Sequence, residues 1–455
     1  MDANKLRIAI ALSVLVFMAG TAVVGTTRSP NMKLQPNPTG AAQTFSSNGA
    51  IDLGSAFFKN MGTNGRTCGS CHREAEGWSI TPADVQARFE TSNGLDPIFR
   101  FNDGAVCPTA DVSTLEARRK AYGLLLAKGL IRVSLSIPPN AEFQLVSVDD
   151  PYHCSSASDM ALFRRPLPAT NLRFLSTVMW DGRQSPPGRS LHDNLMSQAA
   201  DATLGHAQAA SSPTTAQLED IVNFEMALTS AQAWDTAAGE LNAHGAKGGV
   251  KALSKQDFFI GINDPLGNNP TGAPFDPNVF TLYAKWGKPN GGGGKENGAR
   301  AAVARGEQIF NTRPIVISGV SGLNDELGVA SITGTCTTCH DSPNVGNHSV
   351  PAPLNIGLVD ESERTPDLPL YTFRCIATGQ EFKVTDPGRA LITGKCKDIG
   401  RFKGPVLRGL AARAPYFHNG SAANLGEVVD FYDRRFHLGL TQQEKQDLIA
   451  FLQTL

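Results

Sequence analysis

The sequence predicts a mainly α-helical chain built from two tandem, related domains, each rich in loops. Three observations carry that reading. A Cys-x-x-Cys-His motif occurs twice, at Cys68-Gly-Ser-Cys71-His72 and at Cys336-Thr-Thr-Cys339-His340. Each copy leads, after a long loop-rich stretch, to an aromatic-Asp/Asn-Gly turn that enters a helix: "WDGRQSPPGRSLHDNL" (180–195) and "FHNGSAANLGEVV" (417–429). Each half then closes on a helix-patterned segment, "TTAQLEDIVNFEMAL" (214–228) and "TQQEKQDLIAFLQTL" (441–455).

The closing segments justify the helical assignment. In the second, Leu448, Phe451, Leu452 and Leu455 recur at i, i+3, i+4 and i+7, one apolar stripe of a helix. Thr441 and Glu444 form a capping-box pattern at its start. The turns align as well, Asp181-Gly182 with Asn419-Gly420 and Leu191 with Leu425. The motifs supply the chemistry. Two thiols and an imidazole at this spacing suit a covalent haem, with thioethers to the vinyl groups and the histidine on one axial position of the iron. A zinc ribbon fits two such distant pairs poorly, each followed at once by His. The fold class is therefore two tandem cytochrome c-like haem domains, holding two covalently bound haem c through Cys68, Cys71, His72 and Cys336, Cys339, His340.

At 455 residues the chain has room for two or three domains. Its net charge of −1, with no long single-sign run, offers nothing to nucleic acid. Lys5 and Arg7 precede an apolar run from Ile8 to about Gly25, the pattern of an export signal. The run also has the length of a bilayer-spanning helix, so residues 1–25 read as a signal peptide or a membrane anchor. Residues 26–45 read as a polar linker. Residues 46–245 form the first haem domain, with an insertion over about 80–165. Within it "IRVSLSI" (131–137) and "EFQLVSV" (142–148) read as a small β element. The Gly- and Pro-rich stretch 246–298 reads as an interdomain linker region, and 299–455 as the second haem domain. The other four cysteines, Cys107, Cys154, Cys375 and Cys396, suit disulfides in an oxidising compartment. Neighbour pairing would give one bridge per half, but three connectivities exist and spacing does not choose among them.

Methionine or histidine fills the second axial position in most electron-transfer cytochromes. All eight Met lie at or before Met226, so the second domain has none to offer. Its candidates are His348, His418, His437, Tyr371, Tyr416 and Tyr432. At the first haem, no His occurs between His72 and His153.

The two motifs, "WDGR" (180–183) and "LRGLAARAPYFHNGSAANLGEVVDFYDRR" (407–435) together resemble the bacterial diheme cytochrome c peroxidase/MauG family. The resemblance covers most of the chain from about residue 50, except the insertion. It implies that the residue fourteen after His418, here Tyr432, ligates the second iron opposite His340, as Tyr does in MauG where the peroxidases have Met. Bis-His ligation through His348 or His437 is the rival. A tyrosinate favours the higher oxidation states of iron, which a thioether does not. The family's peroxidases block the resting first iron with a His after the first motif. Here Arg88 stands roughly in its place, implying an open face that accepts hydrogen peroxide. Trp180 matches the Trp that relays electrons between the haems. The family's distal Glu is replaced near Leu204, which leaves Gln198 and His206, and more weakly His192, as acid/base candidates. The family also holds a calcium ion between its domains, an open expectation here because Arg165 and Arg413 stand near its ligand positions.

The resemblance thus implies a periplasmic diheme peroxidase, MauG-like. Its oxidising equivalents would pass to a small c-type cytochrome, a cupredoxin or a protein substrate. The competing expectation is a non-catalytic diheme electron-transfer cytochrome with both irons six-coordinate.

Overall fold

The computed structural model describes residues 27–455, apart from 268, 271, 273–275, 277 and 288–293. The expected signal or anchor over 1–25 and much of the Gly-rich stretch lie outside these residues. Among the described residues no helix is long and apolar enough to cross a membrane.

The expected helices form where their caps stand. Thr214 and Gln217 box the start of Thr215–Ala227, and Thr441 and Glu444 that of Gln442–Gln453. Ser190 caps Leu191–Gly205 and Asn424 caps Leu425–Phe436, each accepting the N–H three residues on. The long helix Lys295–Thr312 lies against Gln442–Gln453. Their closest approach is at Gly306, where a Cβ would come within 2.0 Å of the Asp447 carbonyl oxygen, so only glycine fits. Around that crossing Phe280, Tyr283, Phe310, Phe451 and Leu455 form one buried core, and Cys336, Cys339 and Tyr432 pack on its edge. A second core of Phe57, Trp78, Ala199, Ile221 and Phe224 carries Cys68 at its edge.

Three expectations need correction. Residues 26–45 are not a bare linker: Gln35–Asn37 and Gly40–Ser46 are strands, the latter paired antiparallel with Leu228–Asp235. These two strands pair with each other, and the second also pairs with a strand far along the chain that local pattern does not reveal; Thr44 also accepts the Trp78 indole N–H at 2.9 Å. Part of the stretch 246–298 is likewise no spacer. Phe280, Tyr283 and Trp286 are buried, and the Leu282 and Tyr283 N–H groups both donate to the Glu307 carboxylate at 2.8 Å.

The third correction concerns the small β element. Ile131–Leu135 and Phe143–Asp149 do form, but they do not pair with each other. The first pairs with Met160–Arg164, and the second with Leu370–Cys375 of the other half, which in turn pairs with Glu381–Val384. β-Structure is thus more extensive than expected, with five small sheets among the described residues. The insertion is stitched to the second half by this sheet and by Arg164. That guanidinium, 2 % exposed, bonds Asp181 at 2.5 Å and Asp386 at 2.7 and 2.9 Å. Of the three connectivities, Cys107–Cys154 and Cys375–Cys396 form. The four motif cysteines stay free.

Candidate functional site

Both motifs fold identically. Each begins with a threonine whose backbone N–H donates to the hydroxyl three residues on, Thr67 to Ser70 and Thr335 to Thr338, both at 3.0 Å. The box winds the cysteines into a single 3₁₀ turn, and the histidine N–H then closes on the first cysteine's carbonyl, at 3.0 and 3.1 Å. In each, the histidine Nδ1 sits on a backbone carbonyl six residues on, His72 on Trp78 at 3.0 Å and His340 on Gly346 at 2.6 Å. That bond fixes the tautomer and leaves Nε2 as the free donor, the arrangement of an axial ligand. Burial holds both imidazoles neutral, pushed down to about 4.

Each histidine opens onto a large apolar cavity. The first holds Cys68, Cys71, His72, Gln198 and His206; the second holds Cys336, Cys339, His340 and Tyr432. Trp180 lines both. Its indole N–H donates to the Arg165 carbonyl at 2.8 Å, its own carbonyl accepts the Lys403 N–H at 2.9 Å, and His418 meets its ring edge-on.

The cavities fit haem on a further ground. Buried donors face them without partners: Nε and Nη2 of Arg408 in the first and Nε2 of His418 in the second. Lys403 lines both, and burial drives its ammonium down to about 7. Among the described residues no carboxylate lies within ion-pair reach of Lys403. An isolated buried charge is costly, and the carboxylates of a haem would answer it.

In the second cavity the axial candidates separate. Tyr432 is half-buried at the cavity wall, desolvation pushes its phenol up, and its hydroxyl has no hydrogen-bond partner among the described residues; Phe417, Phe431 and Phe436 pack its ring. Tyr416 donates to the Leu410 carbonyl, and Tyr371 lies in a different core, donating to Ala161. His437 is exposed at the end of its helix, and His348 Nε2 faces Asp264.

The first cavity contains a pair that sequence reasoning missed. His206 Nδ1 meets Asp103 at 2.5 Å, and Asp103 is held in turn by Arg66. Asp103 is 5 % exposed, and the bonds from His206 and Arg66 keep its carboxyl below the usual range despite burial. Asp103 lies in "RFNDGAV", where nothing in spacing links it to a histidine 103 residues on. Glu225 shares the cavity, buried without a partner for Oε2 and pushed up to about 8 by desolvation. Met61 and Met179 also line it. Two other residues fall outside: Arg88 braces the motif from behind, donating to the Ser70 carbonyl and Asp96, and His192 pairs with Glu219 at the surface.

At the position the resemblance gives it, between Arg165 and Arg413, calcium does not fit. The Arg165 guanidinium itself occupies the backbone oxygens available between the halves, and the Arg413 cation is beside it. A hard divalent ion is disfavoured next to two guanidinium groups.

The two Cys-x-x-Cys-His turns thus open on two cavities that share a tryptophan, an arrangement that fits covalently bound haem c. No family model matches the chain. Over 154 residues it is 35% identical to a cytochrome-c peroxidase, IdrP1, of Pseudomonas sp. (strain SCT), covering 29% of this chain and 40% of that protein. IdrP1 of Denitromonas iodatirespirans is 33% identical over 29% of this chain and 39% of its own length. Cytochrome c551 peroxidase of Nitrosomonas europaea is 30% identical over 26% and 30%. A crystal structure of a MauG-like protein associated with microbial copper homeostasis superposes over 95% of this chain and 94% of that one, with a TM-score of 0.40 and 16% identity. Over the matched segments the chain is similar to bacterial cytochrome c peroxidases. The matched segments span 40% or less of the length of these peroxidases.

Proposed function

We propose that the chain is an exported, periplasmic diheme peroxidase that reduces hydrogen peroxide and shares the oxidising equivalents between two haem sites, MauG-like. The reading divides it into a reactive domain over 46–245 and a second haem domain over 299–455. One observation carries it. Two cavities with the same Cys, Cys, His floor differ in what else lines them: a hydrogen-bonded His206–Asp103 pair in the first, a half-buried phenol without a hydrogen-bond partner among the described residues in the second.

When bound, the first haem would supply, on His72, the redox iron at which peroxide is reduced. His206 Nε2 accepts the proton of the near peroxide oxygen and returns it to the far oxygen, which leaves as water. Asp103 holds the opposite ring nitrogen and steadies the imidazolium that forms, and Arg66 fixes Asp103. Gln198 orients the peroxide by hydrogen bonding. In full, H2O2 takes two electrons and two protons to give two waters. The electrons come from a small c-type cytochrome, a cupredoxin or a protein substrate, and Trp180 carries them between the sites. His340 and Tyr432 would hold the second iron. The two disulfides fit an oxidising compartment.

A second reading has one observation in its favour. Imidazoles that ligate metals are commonly braced through the other nitrogen by a carboxylate, as Asp103 braces His206. His206 would then cap the first iron, and the protein would be an electron carrier. Adding one equivalent of peroxide to the ferric holoprotein separates the two. A rapid change in the visible spectrum supports the peroxidase, and an inert spectrum supports the carrier.

A further inference from the structure

Arg165 stands at the point where three segments meet. Its Nη1 donates to the Lys128 carbonyl at 2.5 Å, and its Nη2 to the Ile80 carbonyl at 2.6 Å and the Arg413 carbonyl at 3.1 Å. Two of these oxygens belong to the first half and one to the second. The residue is 5 % exposed, and among the described residues no carboxylate lies within 4 Å of its guanidinium. Burial and the neighbouring Arg413 bring its guanidinium down to about 10. Peptide carbonyls therefore make all of its hydrogen bonds among the described residues, and Glu76 acts on it only at longer range.

The surroundings are shaped for it. At Gly129, with φ +62°, a Cβ would lie 2.6 Å from Arg165 Nη1, so the chain leaves out a side chain where the guanidinium passes. The Arg165 backbone is pinned as well. Its N–H donates to the His418 carbonyl at 2.6 Å, and its carbonyl accepts the Trp180 indole at 2.8 Å. The side chain that ties the segments together thus sits on the residue that positions the tryptophan between the cavities.

Converging carbonyl oxygens from separate segments are what a hard cation uses to join them. We propose that the Arg165 guanidinium is this protein's resident interdomain cation, a covalently tethered substitute for calcium. It makes the junction, and the placement of Trp180, independent of divalent metal. The inference stands apart from the peroxidase reading, since metal content and unfolding report on it without turnover.

The test uses the full-length holoprotein. Wild type is incubated with calcium chloride, desalted and analysed for metal, and its thermal unfolding is followed with calcium and with a calcium chelator. The expected result is no retained calcium and the same midpoint in both. Stoichiometric calcium, or a midpoint that falls on chelation, overturns the proposal. Arg165→Ser empties the cradle while leaving its oxygens. Its midpoint should fall by several degrees, and added calcium should recover part of the loss. A midpoint equal to wild type, or a loss that calcium does not touch, counts against the guanidinium as the bridging cation. If that variant fails to fold, Arg165→Lys keeps a cation but not the fork that reaches three carbonyls. It should lose part of the stability and stay blind to calcium, and a calcium-dependent midpoint would overturn the idea.

Discussion

Replacing Asp103 by Asn tests the proton-handling pair. Asp103 Oδ2 lies 2.5 Å from His206 Nδ1, and its other oxygen pairs with Arg66. Asn keeps the shape and an acceptor oxygen but loses the charge. Arg66 retains the Pro97 carbonyl at 2.9 Å and the Ile98 carbonyl at 2.6 Å, so the fold is kept. A hydrogen bond to an ionised group contributes about 1.5–3 kcal/mol, and a neutral one about 0.5–1.5. The difference of about 1–1.5 kcal/mol should slow the reaction with peroxide about 5- to 13-fold, at 1.36 kcal/mol per factor of ten. His206→Gln removes the proton carrier itself and should cost about 10²- to 10⁴-fold. The assay is stopped-flow absorbance at a fixed pH with peroxide in excess, with the thermal midpoint and the second-haem signal as controls. A D103N rate equal to wild type, beside a slow H206Q, would show that Asp103 does not act through His206. A D103N rate as slow as H206Q, with a fallen midpoint, would assign Asp103 to the fold alone.

Three more outcomes follow from the same geometry. Tyr432→Phe should alter only the low-spin ferric signal, and an unchanged signal would remove Tyr432 from the iron. Glu225, raised to about 8 in the folded chain against 4.5 unfolded, binds its proton more tightly when folded. Stability should therefore fall as pH rises from about 4.5 to 8, by up to a few kcal/mol; Glu225→Gln should flatten that slope in denaturant unfolding, and parallel curves for the two proteins would contradict it. Phe451, fully buried against Phe280, Phe310 and Tyr283, should cost about 3–5 kcal/mol when cut to Ala, read from the same unfolding curves.

Features written in short range were legible in the sequence. The two haem turns, the capped closing helices and the aromatic-Asp/Asn-Gly turns each depend on residues a few positions apart. Trp180 and Tyr432 rest on resemblance alone; in the fold Trp180 lines both cavities and Tyr432 the second. What failed was pairing at a distance. "EFQLVSV" reads as a strand, but nothing local says that its partner is Leu370–Cys375 rather than the neighbouring "IRVSLSI". The polar Gln35–Ser46 segment lacks an apolar run; its two short strands pair with each other, and the longer ladder is with distant Leu228–Asp235. Asp103 was missed for the same reason, because its partner is set by the fold. Arg165 reads in the sequence as an obstacle to calcium, but its three carbonyl partners come from segments no sequence pattern brings together.

The central claim is an asymmetry: one haem site with an open face served by His206, and one closed by a phenolate. An electron paramagnetic resonance spectrum of the resting ferric holoprotein tests it most directly, since it reports both coordination states together. The expected result is one high-spin and one low-spin haem in equal amounts. Two low-spin haems, unchanged by stoichiometric peroxide, would contradict it.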